Sequence, residues 1–463
     1  MSRKFLVLSA LALGLIVPAS AKTYTREEAV QTAIENSPEI KSAEEDLIRA
    51  SSQVDAGYGK AYPSIDLNAN VKWILGIDDV KMGTPMADAA GDSSMGANKF
   101  DKNVVAPALD NIVNGMSAQR YPWQSSVSLT VTQILYAAGQ VGTGVEIAKA
   151  YKLGAEIKLD DAKTRVRYSI DNAFNSFIVL DSSMTIIDES IKLYEKNLEF
   201  VKQQFQSGLA TELDLTRLQL QLDGLKIDRK TLEEQHILMK NNLLTLMGVD
   251  YDSDVQFVGE LRSPDSNLPY PDTAIANVIE RRKDFAVLKT QEQMASKQIE
   301  IAEAGYKPTI VLNGGIVYSN YQNHFYKWDA PKWNKLNKFV GLNLSMNLFQ
   351  GFQTREGITQ AKSTLRTLQI QKESTERSYR IQIENCIKAL DNAERNLVVL
   401  KSNVELAERV YQMTEASYQN GMVSQLDLLS ANMGLRDAKQ KYLTGVMAWN
   451  VNYNALLQVT GEY

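Results

Sequence analysis

Two aspartates stand at matching places in this sequence, Asp214 within Leu213-Asp214-Leu215 and Asp427 within Leu426-Asp427-Leu428, downstream of Gly208 and Gly421 respectively. A carboxylate in the first turn of a helix stabilises its amino-terminal dipole whatever else it does. Several such carboxylates gathered around a narrow opening would also set up a negative potential that favours cations and binds multivalent ones. Tyr418, just before the second glycine, offers a hydroxyl that can donate to a carboxylate; it also continues a helical seam, and its counterpart is Phe205. The other reactive side chains do not assemble into a catalytic set. His236 and His324 are the only histidines and lie in different segments, with no nucleophile motif or glycine-rich phosphate loop beside them. Cys386, the single cysteine, has no intramolecular disulfide partner and sits between Ile383 and Leu390 at an apolar helical position, as a small core residue would. Met82, Met86, Met95 and Met116 carry thioethers that suit Cu(I), but their irregular spacing suits an exposed loop better. Lys327, Lys332, Lys335 and Lys338, interleaved with Trp328 and Trp333, fit a solvated loop, or one that meets anionic lipopolysaccharide. No cofactor and no metal site is expected, and an enzyme is the weakest reading.

The elements that hold these aspartates come in two copies. An offset of 245 pairs Ala29 with Ala274, Glu35 with Glu280, Ala50 with Ala295, Pro63 with Pro308 and Asn68 with Asn313, without a gap. An offset of 213 pairs Gly208 with Gly421, Asp214 with Asp427, Leu243 and Leu244 with Leu456 and Leu457, and Gly248 with Gly461. The first half also carries a long polar loop that the second lacks. Inside the second block apolar residues recur at alternating steps of four and three: Val166, Ile170, Ala173, Phe177, Leu180, Met184, Ile187, Ile191, Tyr194, Leu198, Val201 and Phe205. The same frame returns in Ile383, Cys386, Leu390, Ala393, Leu397, Leu400, Val404, Ala407, Tyr411, Thr414 and Tyr418. No proline interrupts 140–248 or 351–463, so each half should hold a helix roughly 100 Å long at about 1.5 Å per residue. Each such helix breaks at its glycine, and a second apolar helix runs back. The expected hairpins span about 140–248 and about 352–461.

Between the helices lie four segments of strict alternation: Ile65, Leu67, Ala69, Val71; Val127, Leu129, Val131; Ile310, Leu312, Gly314, Ile316; and Val340, Leu342, Leu344, Met346, Leu348. Asp66, Asn68, Asn70, Ser126, Ser128, Thr130, Asn343 and Ser345 fill the opposite face, as in a barrel wall with lipid on one side and water on the other. Trp73, Trp123, Trp328 and Trp333 fall in or beside these strands, and Tyr62, Tyr121, Tyr136, Tyr318 and Phe349 lie near their ends, as a membrane girdle requires. The strands are expected at about 62–73, 122–135, 308–318 and 339–349. Four strands cannot close a barrel, so subunits must share one wall.

At its start the chain carries Arg3 and Lys4, an uncharged run from Phe5 to Val17, and then Pro18-Ala19-Ser20-Ala21, which reads as a signal peptide over 1–21. No cysteine follows to carry a lipid. The first repeat is expected over 22–268 and the second over 269–463. The chain has 50 Lys and Arg against 55 Asp and Glu; removing Arg3 and Lys4 leaves 48 basic residues and a net charge of −7, which argues against a nucleic-acid surface.

Leader, duplicated helix-strand-strand-helix unit, prolines opening the strands, and the repeated aromatic-Gln-x-Gly with Leu-Asp-Leu downstream together resemble the TolC family of outer-membrane efflux proteins, over essentially the whole mature chain. The resemblance implies a mainly α fold with a membrane β-barrel part: a homotrimer whose twelve-stranded barrel, surrounded by outer-membrane lipid, continues as a twelve-helix periplasmic tunnel. It further implies docking to a periplasmic adaptor (membrane fusion) protein and an inner-membrane pump of the RND, ABC or MFS type, and passive passage with no catalytic site. In that family a tyrosine on one hairpin tip faces an aspartate on the other, which matches Tyr418 and Asp214, and the entrance constriction uses an aspartate that matches Asp427. A further acid one turn later in some members is Ser430 here, and a basic residue two positions past the tip glycine is Val423, a departure that would loosen the closed state. Adaptor docking in the family uses the tip turns, here Gly208, Leu209, Ala210 and Thr211 together with Gly421, Met422, Val423 and Ser424. The alternatives are a periplasmic coiled-coil adaptor, which lacks two pairs of aromatic-flanked strands, and a structural protein of the surface.

Overall fold

The computed structural model of the chain describes residues 22–75, 122–251, 254–262, 264, 269–322 and 336–463. The leader, Tyr121, His324, Trp328, Trp333, Lys327, Lys332, Lys335, Met82, Met86, Met95 and Met116 lie outside the described residues. In chain order the elements are β1 (Thr23–Tyr24), α1 (Arg26–Asn36), α2 (Pro38–Gly59), β2 (Ser64–Trp73), β3 (Trp123–Tyr136), α3 (Gln140–Gln206), α4 (Glu212–Met247) and β4 (Gln256–Phe257), followed by α5 (Ile275–Arg281), α6 (Lys283–Glu303), β5 (Thr309–Gln322), β6 (Leu336–Ser345), α7 (Gln353–Gln419) and α8 (Gln425–Thr460). Helices α3 and α7 are 67 residues each, α4 and α8 36 each. The offset of 213 therefore carries one hairpin onto the other residue for residue.

The compact units of the fold cut across the sequence repeats. One unit takes the chain up to Ala50, Tyr151–Glu292 and Arg366–Tyr463; the other takes Ser51–Ala150 and Gln293–Leu365. Both repeats contribute to each.

The first unit is built on the heptad seams. Val166, Ile170, Ala173 and Phe177 of α3 are buried with Leu243, Leu244 and Met247 of α4, and with Val30 and Ala33 of α1. Each fully buried Leu, Val or Phe contributes about 1.5–3 kcal/mol relative to exposure. Lower on the same pair, Tyr194, Leu198 and Val201 meet Leu218, Leu222 and Leu225. In the second hairpin Leu390, Ala393 and Leu397 of α7 meet Trp449, Tyr453 and Leu456 of α8, with half-buried Cys386 packed alongside. Burial pushes the Cys386 thiol up, away from reactivity. Phe205 departs from the seam and is 42% exposed, because α4 begins only at Glu212 and leaves the last turn of α3 uncovered. A two-stranded parallel pairing of β1 with β4 ties Thr23 to Gln256 and Tyr24 to Phe257.

A buried polar cluster closes this unit. The Asp171 carboxylate on α3 lies 3.6 Å from Arg26 and 3.8 Å from Arg262, and accepts the Tyr463 hydroxyl. Arg26 also donates to Asn175 at 2.7 Å, and Asn450 of α8 donates to the Arg262 carbonyl at 2.9 Å. A carboxylate taken out of water is tolerated only with partners such as these.

The second unit contains an antiparallel sheet in the order β2-β3-β5-β6. Ile65 pairs with Val131, Leu67 with Leu129 and Ala69 with Val127, while Asp66 pairs with Thr130, Asn68 with Ser128 and Asn70 with Ser126, so one face is apolar and the other polar. The register carries the apolar face on through Leu129 with Ile316, Val131 with Gly314, and Leu312 with Leu342. Trp73 pairs with Trp123, the rings stacked at 5.4 Å and 7°. Alternation in the sequence runs to Leu348, with a strand expected to about 349, but β6 stops at Ser345, which pairs with Thr309: the partner strand has run out, and Pro308 before it has no N–H to offer. Among the described residues β2 and β6 each have one neighbour and one open edge.

Candidate functional site

The tips of the two hairpins are built by identical local rules. After Gln206 the chain turns at Gly208 (φ 70°), whose N–H donates to the Phe205 carbonyl at 3.0 Å while Leu209 N–H reaches Gln204 at 2.8 Å. After Gln419 it turns at Gly421 (φ 68°), with Gly421 N–H on Tyr418 at 2.9 Å and Met422 N–H on Ser417 at 2.9 Å. Left-handed φ is what glycine takes without a Cβ penalty, and these bonds satisfy carbonyls that the helix end leaves open.

Each returning helix then starts with a capping box. Asp214 accepts from the Thr211 N–H at 3.1 Å and its hydroxyl at 2.6 Å, and the Asp214 N–H donates back to Thr211 Oγ1 at 3.2 Å. Asp427 does the same with Ser424, at 3.0, 2.7 and 3.3 Å. Hydrogen bonds to the charged form hold both carboxyls below the usual aspartate range, first those from the cap hydroxyl and then those from its backbone.

Across the tips, the structure brings Tyr418 and Asp214 within electrostatic reach. Burial pushes the Tyr418 phenol up first, and the Asp214 carboxylate adds to the shift. The phenol makes no hydrogen bond to Asp214, whose side-chain bonds are those to its own cap Thr211. The Tyr418 ring instead meets Phe200 of α3 edge-on, with centroids 6.1 Å apart. Asp427 engages Ser424 of its own turn. Thr211 and Ser424 are occupied as caps, whereas Leu209, 79% exposed, and Met422, 70% exposed, present apolar side chains on the turns.

Two contacts at the tips are invisible in the sequence pattern. Gln425, the first residue of α8, donates its amide to the Asp214 carbonyl at 3.3 Å. Leu429, one turn further, is buried in the α3–α4 cluster of Tyr194, Leu198, Val201, Leu218 and Leu222. A glutamine at the start of a helix reads as solvent-facing. Its only clue is the spacing from Leu429, which repeats in Asn432 and Arg436. The His236 ring of α4 lies 4.3 Å from that of Phe177, and burial lowers its pKa.

A family model described as outer membrane efflux protein matches residues 29–249 and 274–462, one stretch in each half of the chain. Nodulation protein T of Rhizobium leguminosarum bv. trifolii is 23% identical over 344 residues, which take in 73% of this chain and 72% of that protein. Outer membrane protein TolC of Vibrio cholerae is 24% identical over 264 residues, 54% of this chain and 59% of that one. Among solved structures, the fold is shared with CusC, at a TM-score of 0.73 and 15% identity over 94% of this chain and 92% of that one. It is shared also with VceC of Vibrio cholerae, at 0.68 and 16% over 94% and 96%.

Proposed function

This chain belongs to the outer membrane efflux protein family and is an outer-membrane efflux duct that reaches into the periplasm; we propose that three copies complete the duct and that its entrance is controlled at the hairpin tips. The observation that carries the proposal is the sheet with one apolar face and, among the described residues, two open edges, β2 and β6. Unpaired N–H and C=O groups are costly in hydrocarbon, so a sheet with bare edges spans a membrane only when further strands pair with them. Three copies supply twelve strands and twelve long helices, lipid against the apolar face and water against the face of Asn68, Asn70, Ser126 and Ser128.

At the hairpin tips the entrance closes where Tyr418 comes within electrostatic reach of Asp214, and Asp427 from three copies forms a carboxylate ring that attracts cations. The exposed Leu209 and Met422, with the turns around Gly208, Thr211, Gly421 and Ser424, form the surface for a periplasmic adaptor. An inner-membrane pump of the RND, ABC or MFS type drives substrate through a passage that does no chemistry of its own. Homologues bearing names such as toluene efflux pump outer membrane protein fit this reading.

Native mass spectrometry of the detergent-purified protein tests it: a mass of three chains is expected, and a monomer or dimer that conducts in planar bilayers would overturn it. Fractionation with the inner membrane or the soluble periplasm would reject the placement of the sheet.

A further inference from the structure

The face of α8 that meets the first hairpin can be followed residue by residue. Gln425 donates to the Asp214 carbonyl at 3.3 Å. Leu429 is 5% exposed within the α3–α4 cluster. Asn432 is buried, Arg436 lies close enough to Tyr194 to act on its phenol, Lys439 pairs with Glu189 at 3.0 Å, and the Gln440 amide donates to the Ser183 hydroxyl at 3.0 Å. The positions advance by four, three, four, then three or four: a heptad seam between hairpins, distinct from the seams inside them. Gln425 is its last member, one turn from the tip.

We propose that Gln425 is the positioning residue that latches the second hairpin to the first at the entrance, with the Tyr418–Phe200 edge contact beside it. This inference rests on the tip reading above and names the group that does the holding. Asp214 has two resources, its carboxylate and its carbonyl. The carboxylate is spent inside its own helix, accepting from the Thr211 N–H and hydroxyl. The carbonyl sits in the first turn of α4 and keeps a free lone pair beside its intrahelical bond, which the Gln425 amide takes.

The latch is directional. The residue at the same place in the first hairpin is Glu212, whose carboxylate accepts hydrogen bonds and has none to donate to a carbonyl. Only the second hairpin can reach across, and it does so with a neutral side chain. A neutral amide–carbonyl bond is worth about 1 kcal/mol net, strong enough to bias two positions of a hairpin and weak enough for a docking partner to override.

The test uses the full-length protein in planar lipid bilayers, with open probability and cation block read on single channels and thermal melting read on the same preparations. Gln425→Glu gives α8 the residue that α4 carries. It removes the donor and faces a carboxylate with a carbonyl, yet an acid in the first turn suits the helix dipole, so the melting temperature should hold. The expected result is an open probability raised roughly fivefold or more, the equilibrium factor for one lost hydrogen bond. Gln425→Leu, which keeps bulk and loses the amide, should raise it in the same direction. An open probability at the wild-type level in both variants overturns the latch, as does a larger rise in Tyr418→Phe than in Gln425→Glu. Asp427→Asn separates the two levels of the argument. If it weakens cation block while the Gln425 variants leave opening untouched, the latch falls and the tip entrance stands; if neither cation block nor opening responds to any of these variants, the tip entrance falls too.

Discussion

The two hairpins have helices of 67 and 36 residues, turns of the same handedness and capping boxes with matching distances, yet side chains at paired positions do different work. Phe205 is paired with Tyr418, Glu212 with Gln425, Thr216 with Leu429, and His236 with Trp449. In each pair the residue of the first hairpin is exposed or only half covered. Its counterpart in the second reaches into the first hairpin or into its own core. Equal skeletons with unequal contacts mean that backbone geometry is a shared requirement of both copies, while the asymmetry of the tips resides in a few side chains.

The sharpest way to break this comparison is at the glycines that end α4 and α8, both in left-handed backbone. A Cβ on Gly248 would lie 2.4 Å from the Asn36 carbonyl oxygen, whereas on Gly461 the closest atom is Arg281 Cβ at 3.2 Å. Gly248→Ala should therefore cost roughly 3 kcal/mol or more, because backbone must move, and Gly461→Ala roughly 1–2 kcal/mol, mostly left-handed strain. Urea midpoints of the two purified variants check the order. Equal losses would mean that the two junctions are packed alike.

Next in size is the seam between hairpins. Leu429→Ala empties a buried site and should cost about 2–3 kcal/mol, whereas Thr216→Ala at the paired exposed position should stay within about 0.5 kcal/mol. Caps sharpen the comparison from the other side, since here the copies should agree: Thr211→Ala and Ser424→Ala should each cost about 1 kcal/mol. Unequal cap losses would show that one tip is held by something beyond its own turn.

Smaller again are the strand-to-helix corners, where each copy has two successive left-handed residues: Ala138 and Gly139 in one, Gly351 and Phe352 in the other. Glycine stands first in one pair and second in the other, so each corner keeps one strained side chain. Ala138→Gly should gain about 0.5–1 kcal/mol, and Phe352→Gly less, because its ring packs on Phe349 at 5.6 Å.

The smallest effect is a pH dependence confined to the first hairpin. Burial lowers the His236 pKa, so the unfolded chain takes up its proton first as pH falls. Stability is then complete above the ordinary histidine range near 6.5 and declines below it until the lowered pKa is reached. Trp449 cannot titrate. His236→Trp should flatten the urea midpoint between about pH 7 and 5; a slope that survives it would assign the dependence elsewhere.

The hairpins could be read in the sequence because their information is local: apolar steps of four and three, a glycine at the break, and an acid three residues after a hydroxyl. The alternating strands were equally legible, except that alternation alone ran on to Leu348 while the ladder stopped at Ser345 for want of a partner. What stayed hidden was long-range pairing. Asp171 is one of several acids on α3 until Arg26, Arg262 and Tyr463 are brought to it. Tyr418 and Asp214 could be paired by resemblance, but that the carboxylate would be absorbed by Thr211 and the carbonyl by Gln425 depends on the spacing of two helix starts 213 residues apart.

The open edges of β2 and β6 also govern how such a molecule comes into being. If three copies complete the wall, as proposed, completion is not a first-order step but one whose rate rises with the concentration of chains. Until that encounter, the open edges that β2 and β6 show among the described residues are edges that a stray strand can pair with. Hydrocarbon does not accept bare N–H and C=O groups, so on that reading insertion does not precede association, and wall and neighbours arrive together.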